Sequence, residues 1–307
     1  MRTLDVYPDP HDLTVESAGV TIAVRDFGGS GDAVVLLHGL GRTLVDWSVI
    51  GPLLCSHKRT IAFDIRGHGQ SGDGPWSWEL ALADIEAVSH QLNLGTPSVV
   101  GHSLGGMLAA KWAESHPGVP VVNIDGHGQR RLPQYAGISE DDARRRVAEA
   151  EQRVKASLGV LSGPLPPALV DGLMAQQRAL AAQFGAPEEM FLESIERMLH
   201  REDGAVLLRP SPIGLGADIL AAAETFDMFK LYTSLTGPVL ILAGTSPDPG
   251  ADQGLMEAYR EGLRRDLELV ASKQPNLTVE FHSGGHGFLF EDPKGITNRV
   301  ENFLTSP

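Results

Sequence analysis

The segment with the clearest chemical meaning is a short turn in which glycines flank a serine. Residues 101–105 read Gly-His-Ser-Leu-Gly, directly after the apolar run 98–100 and directly before a helix-like stretch at 104–115. A G-x-S-x-G sequence between a strand and a helix is typical of a nucleophile elbow, whose tight turn strains the serine backbone. The glycines let the strand and the helix approach closely. We therefore predict that the hydroxyl of Ser103 is a nucleophile.

The base that such a serine needs is best supplied by His286. A serine hydroxyl is a weak nucleophile at neutral pH until a neighbouring base removes its proton. His286 lies late in the chain on the glycine-rich loop 283–287, after the last predicted strand. This position fits the chain order of nucleophile, acid and histidine. His282 is the weaker candidate, because it lies at the end of that strand and its side chain is less free to reach the elbow.

Two backbone N–H groups are predicted to stabilise negative charge on the reacting oxygen. One belongs to Leu104, immediately after the serine. The other belongs to Leu40, within a His-Gly-Leu-Gly sequence at 38–41 that follows an apolar strand. The glycines beside Leu40 allow this backbone to approach a substrate closely, and such donors contribute strongly to catalysis.

The elements that must position these residues alternate along the chain. Short apolar, β-branched runs alternate with helix-like stretches, which is typical of a mostly parallel sheet covered by helices. The predicted strands are 15–17, 20–26, 34–38, 60–64, 98–101, 121–125, 239–243 and 278–281. The predicted helices of this part lie near 47–56, 77–92, 104–115 and 253–273, with a last amphipathic helix through Ile296, Val300, Phe303 and Leu304.

The stretch 128–235 breaks this alternation. It shows no convincing strand, and several amphipathic helices are predicted in it, one with Ser139 as its N-cap and one that starts at Pro187. We therefore predict a core formed by residues 1–127 and 236–307. The residues 128–235 are predicted to form a helical cap, inserted between the sixth and seventh strands and lying over the end of the sheet.

Composition narrows the class of protein. The 307 residues include 39 acidic and 25 basic side chains, a net charge of −14, which argues against nucleic acid and anionic membranes as partners. The single cysteine, Cys55, excludes an intrachain disulfide. Residues 1–12 lack the apolar region of a signal peptide, and no stretch approaches the roughly 18 apolar residues of a membrane span. We expect a cytoplasmic monomer or homodimer.

In combination, these motifs resemble the α/β-hydrolase superfamily. The resemblance rests on segments 38–39, 64–71, 101–106 and 285–288, in that order, and covers nearly all of the chain outside the cap. It implies an α/β fold with a mostly parallel eight-stranded sheet, helices on both faces and an inserted helical cap. It also implies catalysis by serine, histidine and an acid without a cofactor, and a structural role for Asp64, Arg66 and His68.

The acid that orients the histidine has two candidates. Most members of the superfamily carry it after the seventh strand, three residues beyond a glycine; Asp248 lies one residue later than that, between two prolines. Others, such as zearalenone lactonases, carry it after the sixth strand, where this chain has Asp125. A carboxylate at the end of a strand and before a flexible glycine is well placed to hold an imidazole. We favour Asp125 and keep Asp248 as the alternative.

The resemblance implies a serine hydrolase that cleaves a carboxylic ester or lactone of a small, largely apolar molecule. A serine at the elbow argues against epoxide hydrolase or dehalogenase chemistry, for which the family uses an aspartate. Two alternatives remain: an acyltransferase with an amine, hydrazine or alcohol acceptor, and a non-catalytic ligand-binding protein. No H-E-x-x-H or Cys/His spacing predicts a metal. Candidate walls of an apolar pocket are Trp47, Phe184, Met190, Phe191, Phe226 and Met228.

Overall fold

An eight-stranded sheet runs through the part of the chain that the computed structural model describes, residues 9–248 and 250–305. The two ends of the predicted core, residues 1 and 307, lie outside the described residues. So do residues 1–8 of the segment 1–12. The strands in chain order are β1 (His11–Ser17), β2 (Val20–Gly28), β3 (Ala33–Leu37), β4 (Arg59–Phe63), β5 (Ser98–His102), β6 (Val121–Ile124), β7 (Leu199–Glu202), β8 (Ala205–Leu208), β9 (Val239–Gly244) and β10 (Leu277–His282).

The order of the strands in the main sheet is β1-β2-β4-β3-β5-β6-β9-β10. The first strand pairs antiparallel with β2, and β2 pairs antiparallel with β4, whereas every other pairing in this sheet is parallel. The predicted mostly parallel, eight-stranded sheet is therefore confirmed. The largest difference in strand bounds is at β1, which begins at His11 rather than at residue 15.

The helices cover both faces of this sheet. They are α1 (Ile50–Leu54), α2 (Trp78–Gln91), α3 (Leu104–Ser115), α4 (Glu140–Val160), α5 (Pro167–Phe184), α6 (Glu188–Met198), α7 (Leu215–Thr225), α8 (Met228–Ser234), α9 (Gln253–Ala271), α10 (Phe288–Glu291) and α11 (Pro293–Thr305), with 3-10 helices at Leu44–Trp47 and Leu132–Gln134. The helix predicted at 47–56 is thus divided into a 3-10 helix and α1.

The buried strand β3 shows how the two faces are filled. All five of its residues are buried, and successive side chains of a strand point to opposite faces. Val35 and Leu37 pack in the cluster that contains side chains of α2, α3 and α9. Val34 and Leu36 pack in the second cluster, with side chains of α1, α10 and α11. A continuous apolar run is what a strand covered on both faces requires.

The segment between β6 and β9 contains α4 to α8, with Ser139 and Pro187 as the N-caps of α4 and α6. The expectation that it contains no strand is wrong, because β7 and β8 form an antiparallel hairpin. Its two-residue turn, Asp203 and Gly204, has φ of 49° and 79°. An Asp-Gly pair is a favoured sequence for such a turn, so the hairpin had a local signal. The division into core and cap stays a prediction.

Buried polar contacts join α6 to the sheet and its loops. Arg197 of α6 donates to Asp64 over 2.8 Å, and Asp64 also accepts the N–H of Leu44. The hydroxyls of Thr43 and Ser194 lie 3.0 Å apart in the same region. These contacts hold α6 against the 3-10 helix that follows the loop 38–41.

The close approach of β5 and α3 is the first feature that mutation can test. A Cβ atom on Gly101 would collide with the carbonyl of Gly105. We expect Gly101→Ala to lower the free energy of unfolding by roughly 1–3 kcal/mol or more, measured by urea denaturation. The control is Gly172→Ala in α5, where nothing lies within 4 Å of an added Cβ and alanine favours the helix by about 0.5–1 kcal/mol. Equal stabilities of the two variants would contradict this close contact.

Candidate active site

Ser103 occupies the sharp turn between β5 and α3. It is the N-cap of α3 with φ 55° and ψ −115°, a backbone conformation that non-glycine residues rarely adopt. Its N–H donates to the carbonyl of Ile124 over 2.8 Å, and its carbonyl accepts the N–H of Met107 over 3.1 Å. The side chain is partly exposed and does not cap the helix, so its hydroxyl remains available. The strain fits a nucleophile elbow, and the nucleophilic role stays a prediction.

The two predicted donors to an oxyanion lie on segments that meet at Ser103. Leu104 is the first residue of α3, and the first N–H groups of a helix have no partner within it. A Cβ on Gly39, next to Leu40, would lie 3.1 Å from the Cβ of Ser103. The loop turns at Gly41, with φ 66°, and the N–H of Arg42 donates to the carbonyl of Gly39 over 3.2 Å. The loop 38–41 therefore passes directly beside the serine.

The imidazole of His286 is hydrogen-bonded on one side and open on the other. Its Nδ1 lies 2.6 Å from Oδ2 of Asp125, and 41% of its side chain is exposed. Because a carboxylate accepts, Nδ1 carries the proton and Nε2 keeps its lone pair in the neutral ring. The ring also lies against that of His102, with centroids 4.7 Å apart. Since His102 precedes Ser103 in the chain, the imidazole lies next to the elbow.

The carboxylate of Asp125 is buried among N–H donors. Besides His286, it accepts Nε2–H of His127 over 2.9 Å, the backbone N–H of Gly244 over 2.9 Å and the guanidinium of Arg260 over 2.9–3.1 Å. Burial alone raises the pKa of Asp125, but the charge and hydrogen bonds of His127, His286 and Arg260 outweigh burial and hold this pKa well below its ordinary value. The group is therefore an anion at neutral pH.

The other acid candidate, Asp248, is bonded to the backbone and not to the ring. Its Oδ1 accepts the N–H of His286 over 2.6 Å. Of the two candidate acids, Asp125 is hydrogen-bonded to the imidazole of His286, and Asp248 is hydrogen-bonded to the backbone N–H of His286. Their roles in a reaction remain matters of proposal.

Two residues of this cluster were not among the candidates. Arg260 lies in α9, 135 residues from its partner Asp125, in a helix rich in charge. Nothing in the sequence around it separates a buried arginine from the exposed arginines nearby. His127 lies two residues after the candidate acid Asp125, and this proximity was the one indication in the sequence that it could belong to the site. The spacing alone predicts no particular contact.

Buried histidines support the loops around the serine. His38 accepts the N–H of Ile65 at Nε2 over 2.9 Å, so its Nδ1–H donates to the carbonyl of Gly39 over 2.8 Å. Burial lowers the pKa of His38, His68 and His102 to about 3. All three rings are therefore neutral at physiological pH, and His38 fixes the loop 38–41 as an uncharged donor.

The predicted pocket walls divide into three groups. Trp47 and Met228 are fully buried core residues. Phe184 lies over the histidine loop, since a Cβ on Gly287 would meet its ring at 2.5 Å, and it is part of an aromatic group with Phe191. The remaining candidates are Met190, which is buried, and Phe226, which packs against Trp78.

Neither a metal cluster nor a bilayer-spanning helix was found in the described ranges. Within residues 9–248 and 250–305, no three His, Cys, Asp or Glu side chains are grouped so that they could hold a metal ion. No helix among the same residues is long and apolar enough to cross a bilayer. The expected absence of a cofactor, the cytoplasmic location and the oligomeric state stay predictions.

The buried pair of Arg260 and Asp125 predicts a large stability effect. Arg260→Met leaves the buried Asp125 without its cationic partner, and breaking such a pair costs about 3–5 kcal/mol. We expect urea denaturation to show a loss of this size. The matched control is Arg264→Met in the same helix, because Arg264 is 58% exposed, forms an ion pair with Glu268 and lies 5.1 Å over the ring of Phe281. Losing these exposed contacts together should cost at most about 1–2 kcal/mol. Similar losses for both variants would be evidence against the buried pair.

The neutral histidines predict acid sensitivity. The unfolded chain binds protons on His38, His68 and His102 below about pH 6.5, whereas the folded state excludes them until about pH 3. Stability is therefore fully present above about pH 6.5 and is lost as the pH falls, by up to about 1.4 kcal/mol per pH unit for each histidine. Urea denaturation between about pH 7 and pH 5 measures this slope, and His68→Gln should reduce it. A stability that is constant over this range would refute the burial of neutral rings.

Comparison with known proteins places this arrangement in a family. The model of the alpha/beta hydrolase family matches residues 34–299. A fluoroacetate dehalogenase of a Burkholderia species is 31% identical over 296 residues, which cover 91% of this chain and 88% of that protein. An N-formylmaleamate deformylase of Pseudomonas putida is 30% identical over 151 residues, which cover 42% of this chain and only 56% of that relative.

The fold has a solved counterpart. The crystal structure of E-2-(acetamidomethylene)succinate hydrolase superimposes with a TM-score of 0.70 at 22% identity, over 97% of this chain and 100% of that chain. At this level of identity, the likeness concerns the fold alone. The family match extends over most of the chain, from β3 to α11. The chain belongs to the alpha/beta hydrolase family.

Proposed function

We propose that this chain is a serine hydrolase that cleaves a carboxylic ester or lactone of a small, largely apolar molecule through an acyl-enzyme on Ser103. The observation that carries the proposal is the 2.6 Å hydrogen bond from Nδ1 of His286 to Asp125, beside the strained turn of Ser103. This bond leaves Nε2 free to act as a base, which is the arrangement of a Ser-His-acid triad.

The first half of the reaction forms the acyl-enzyme. Nε2 of His286 removes the proton of the Ser103 hydroxyl as its oxygen attacks the carbonyl carbon. The N–H groups of Leu40 and Leu104 donate to the oxyanion that develops. Asp125 keeps the imidazole in the Nδ1–H tautomer and stabilises the imidazolium. His286 then gives its proton to the leaving alcohol.

The second half releases the acid. The same imidazole removes a proton from a water molecule, which attacks the acyl carbon of Ser103. The tetrahedral intermediate collapses, and the proton returns to the Ser103 oxygen. No step in this sequence needs a metal ion or a cofactor.

Asp125 is the acid in this proposal because of where its charge acts. Its carboxylate bonds to the imidazole, whereas the carboxylate of Asp248 bonds to the backbone N–H of His286. Only a group on the ring sets the tautomer and stabilises the proton that the ring acquires. Asp248 is assigned no part in the proton transfer.

The identity of the nucleophile supports acyl chemistry over dehalogenation. One relative is named a dehalogenase and another a deformylase, so the names of the relatives leave the scissile bond open. Ser103 at the elbow favours attack on a carbonyl, since it forms an acyl ester that water can cleave. The aromatic group of Phe184 and Phe191 near the histidine loop supports an apolar substrate.

Covalent labelling tests the nucleophile directly. A fluorophosphonate probe should label the wild type and should fail to label Ser103→Ala, because only an activated serine reacts with it. The control is Ser157→Ala on the exposed face of α4, which should be labelled like the wild type. On a panel of esters, lactones and an N-formyl amide, Ser103→Ala and His286→Ala should each lower kcat/KM by roughly 10⁴-fold or more.

The same assays separate the alternatives. An unlabelled wild type would contradict the proposal and leave a ligand-binding protein, whereas equal labelling of Ser103→Ala would mean that the activated serine is not Ser103. Added hydroxylamine distinguishes hydrolysis from transfer. If the acyl group passes to hydroxylamine in preference to a large excess of water, the chain is an acyltransferase instead.

A further inference from the structure

We propose that Asp248 and His102 are positioning residues that hold the main chain of His286 from its two sides and so fix its imidazole against Ser103. The proposal rests on the proposed function, because it concerns the same histidine. It also gives a role to the loop after β9, the place where most members of the superfamily carry the catalytic acid.

Asp248 holds the amino side of the residue. Its Oδ1 accepts the backbone N–H of His286 over 2.6 Å. The carboxylate also lies directly against the preceding residue, since a Cβ on Gly285 would come within 2.6 Å of the same oxygen. A glycine is therefore needed at 285 for the contact to form. Through it, Asp248 acts on the position of the backbone and not on the charge of the ring.

The rest of the loop after β9 holds the same segment. The N–H of Thr245 donates to the carbonyl of His282 over 2.9 Å, and the N–H of Ser246 donates to that of Gly284 over 3.1 Å. The hydroxyl of Ser246 donates to the carbonyl of Ser283. Together with Asp248, these contacts tie residues 245–248 to residues 282–286 one after another. The loop thus continues the pairing of β9 and β10 beyond the ends of the strands.

His102 holds the carbonyl side. Its Nε2 lies 2.9 Å from the backbone oxygen of His286. Because a carbonyl only accepts, Nε2 carries the proton and the buried Nδ1 of His102 is the unprotonated nitrogen; within the described residues this Nδ1 has no hydrogen-bond partner. The residue before the nucleophile therefore donates to the main chain of the base. This bond links the elbow to the histidine loop directly.

The position of the His286 backbone matters because the imidazole must contact two groups at once, the carboxylate of Asp125 and the hydroxyl of Ser103. Asp125 sets the rotation of the ring through Nδ1, but the distance from Nε2 to the Ser103 hydroxyl depends on where the backbone of His286 lies. A displacement of about 1 Å in such a group can cost about 10²-fold in rate. The N–H and the carbonyl of His286 are both engaged, so the backbone has little freedom to move.

The decisive comparison is between two substitutions of Asp248. Asp248→Ala removes the acceptor, and we expect kcat to fall by roughly 10- to 10²-fold with little change in KM. Asp248→Asn keeps an amide oxygen that accepts the same N–H, so its kcat should stay near the wild-type value. Asp125→Asn is the contrasting variant, because it disturbs the tautomer of the ring and should lower kcat by roughly 10⁴-fold.

The second pair of variants tests His102. His102→Gln keeps an N–H donor toward the carbonyl of His286, whereas His102→Leu has none. We expect His102→Leu to show the larger fall in kcat. Thermal unfolding of each variant shows whether it is folded, and the glutamine variant keeps the test valid if the leucine variant is not.

Amide hydrogen exchange gives a readout that needs no substrate. In the peptide 282–288, exchange should be faster in Asp248→Ala than in the wild type, and unchanged in Asp248→Asn. If Asp248→Ala leaves both exchange and kcat unchanged, the proposal is wrong. It is equally wrong if Asp248→Asn is as inactive as Asp125→Asn, since the charge of Asp248 would then act on the ring. An inactive, unlabelled wild type would instead refute the proposed function. The exchange data would still test whether Asp248 holds the backbone of His286.

Discussion

The buried carboxylate of Asp125 is the point on which the rest of the molecule depends. It follows β6, accepts the first free N–H at the end of β9, pairs with Arg260 of α9 and holds the imidazole of His286. Removing an anion from water costs several kcal/mol, which only a full set of donors offsets. The cluster therefore requires β6, β9, α9 and the histidine loop to be assembled together. The donor set around Asp125 is therefore complete only when all four elements are in place.

The parts of the site that depend on local geometry could be predicted from the sequence. The strand–turn–helix context around Ser103 determines its backbone conformation within a few residues, and the glycine-rich loop of His286 follows a strand that is evident from its apolar run. The parts that depend on distant pairing could not. The choice between Asp125 and Asp248 turns on which carboxylate meets the ring, and two loops from different strands decide that. Arg260 is hidden for the same reason, because its burial depends on packing and not on its neighbours in the chain.

In the region between β6 and β9, the starts of two helices could be predicted from the sequence, whereas the hairpin and the exposure of α4 could not. Ser139 is the N-cap of α4 as predicted, and α6 begins at Glu188, one residue after the predicted start at Pro187. The β7–β8 hairpin was not predicted, because its strands are four residues long and β7 is mostly polar. An alternation of apolar and polar residues, which would indicate a strand, is too short to recognise there. The apolar spacing in α4 also suggested a buried face. Among its residues only Ala143 is buried, and Val154 is 53% exposed, since the helix has little of the molecule to pack against.

The contact between Thr43 and Ser194 joins α6 to the segment that carries the N–H of Leu40. Thr43 lies three residues beyond Leu40, and Arg197 of the same helix is anchored on Asp64 beneath that segment. A displacement of α6 would therefore be transmitted through these two contacts to the turn that follows Leu40. The helix and the turn therefore keep their positions together, although Thr43 and Ser194 lie 151 residues apart in the chain.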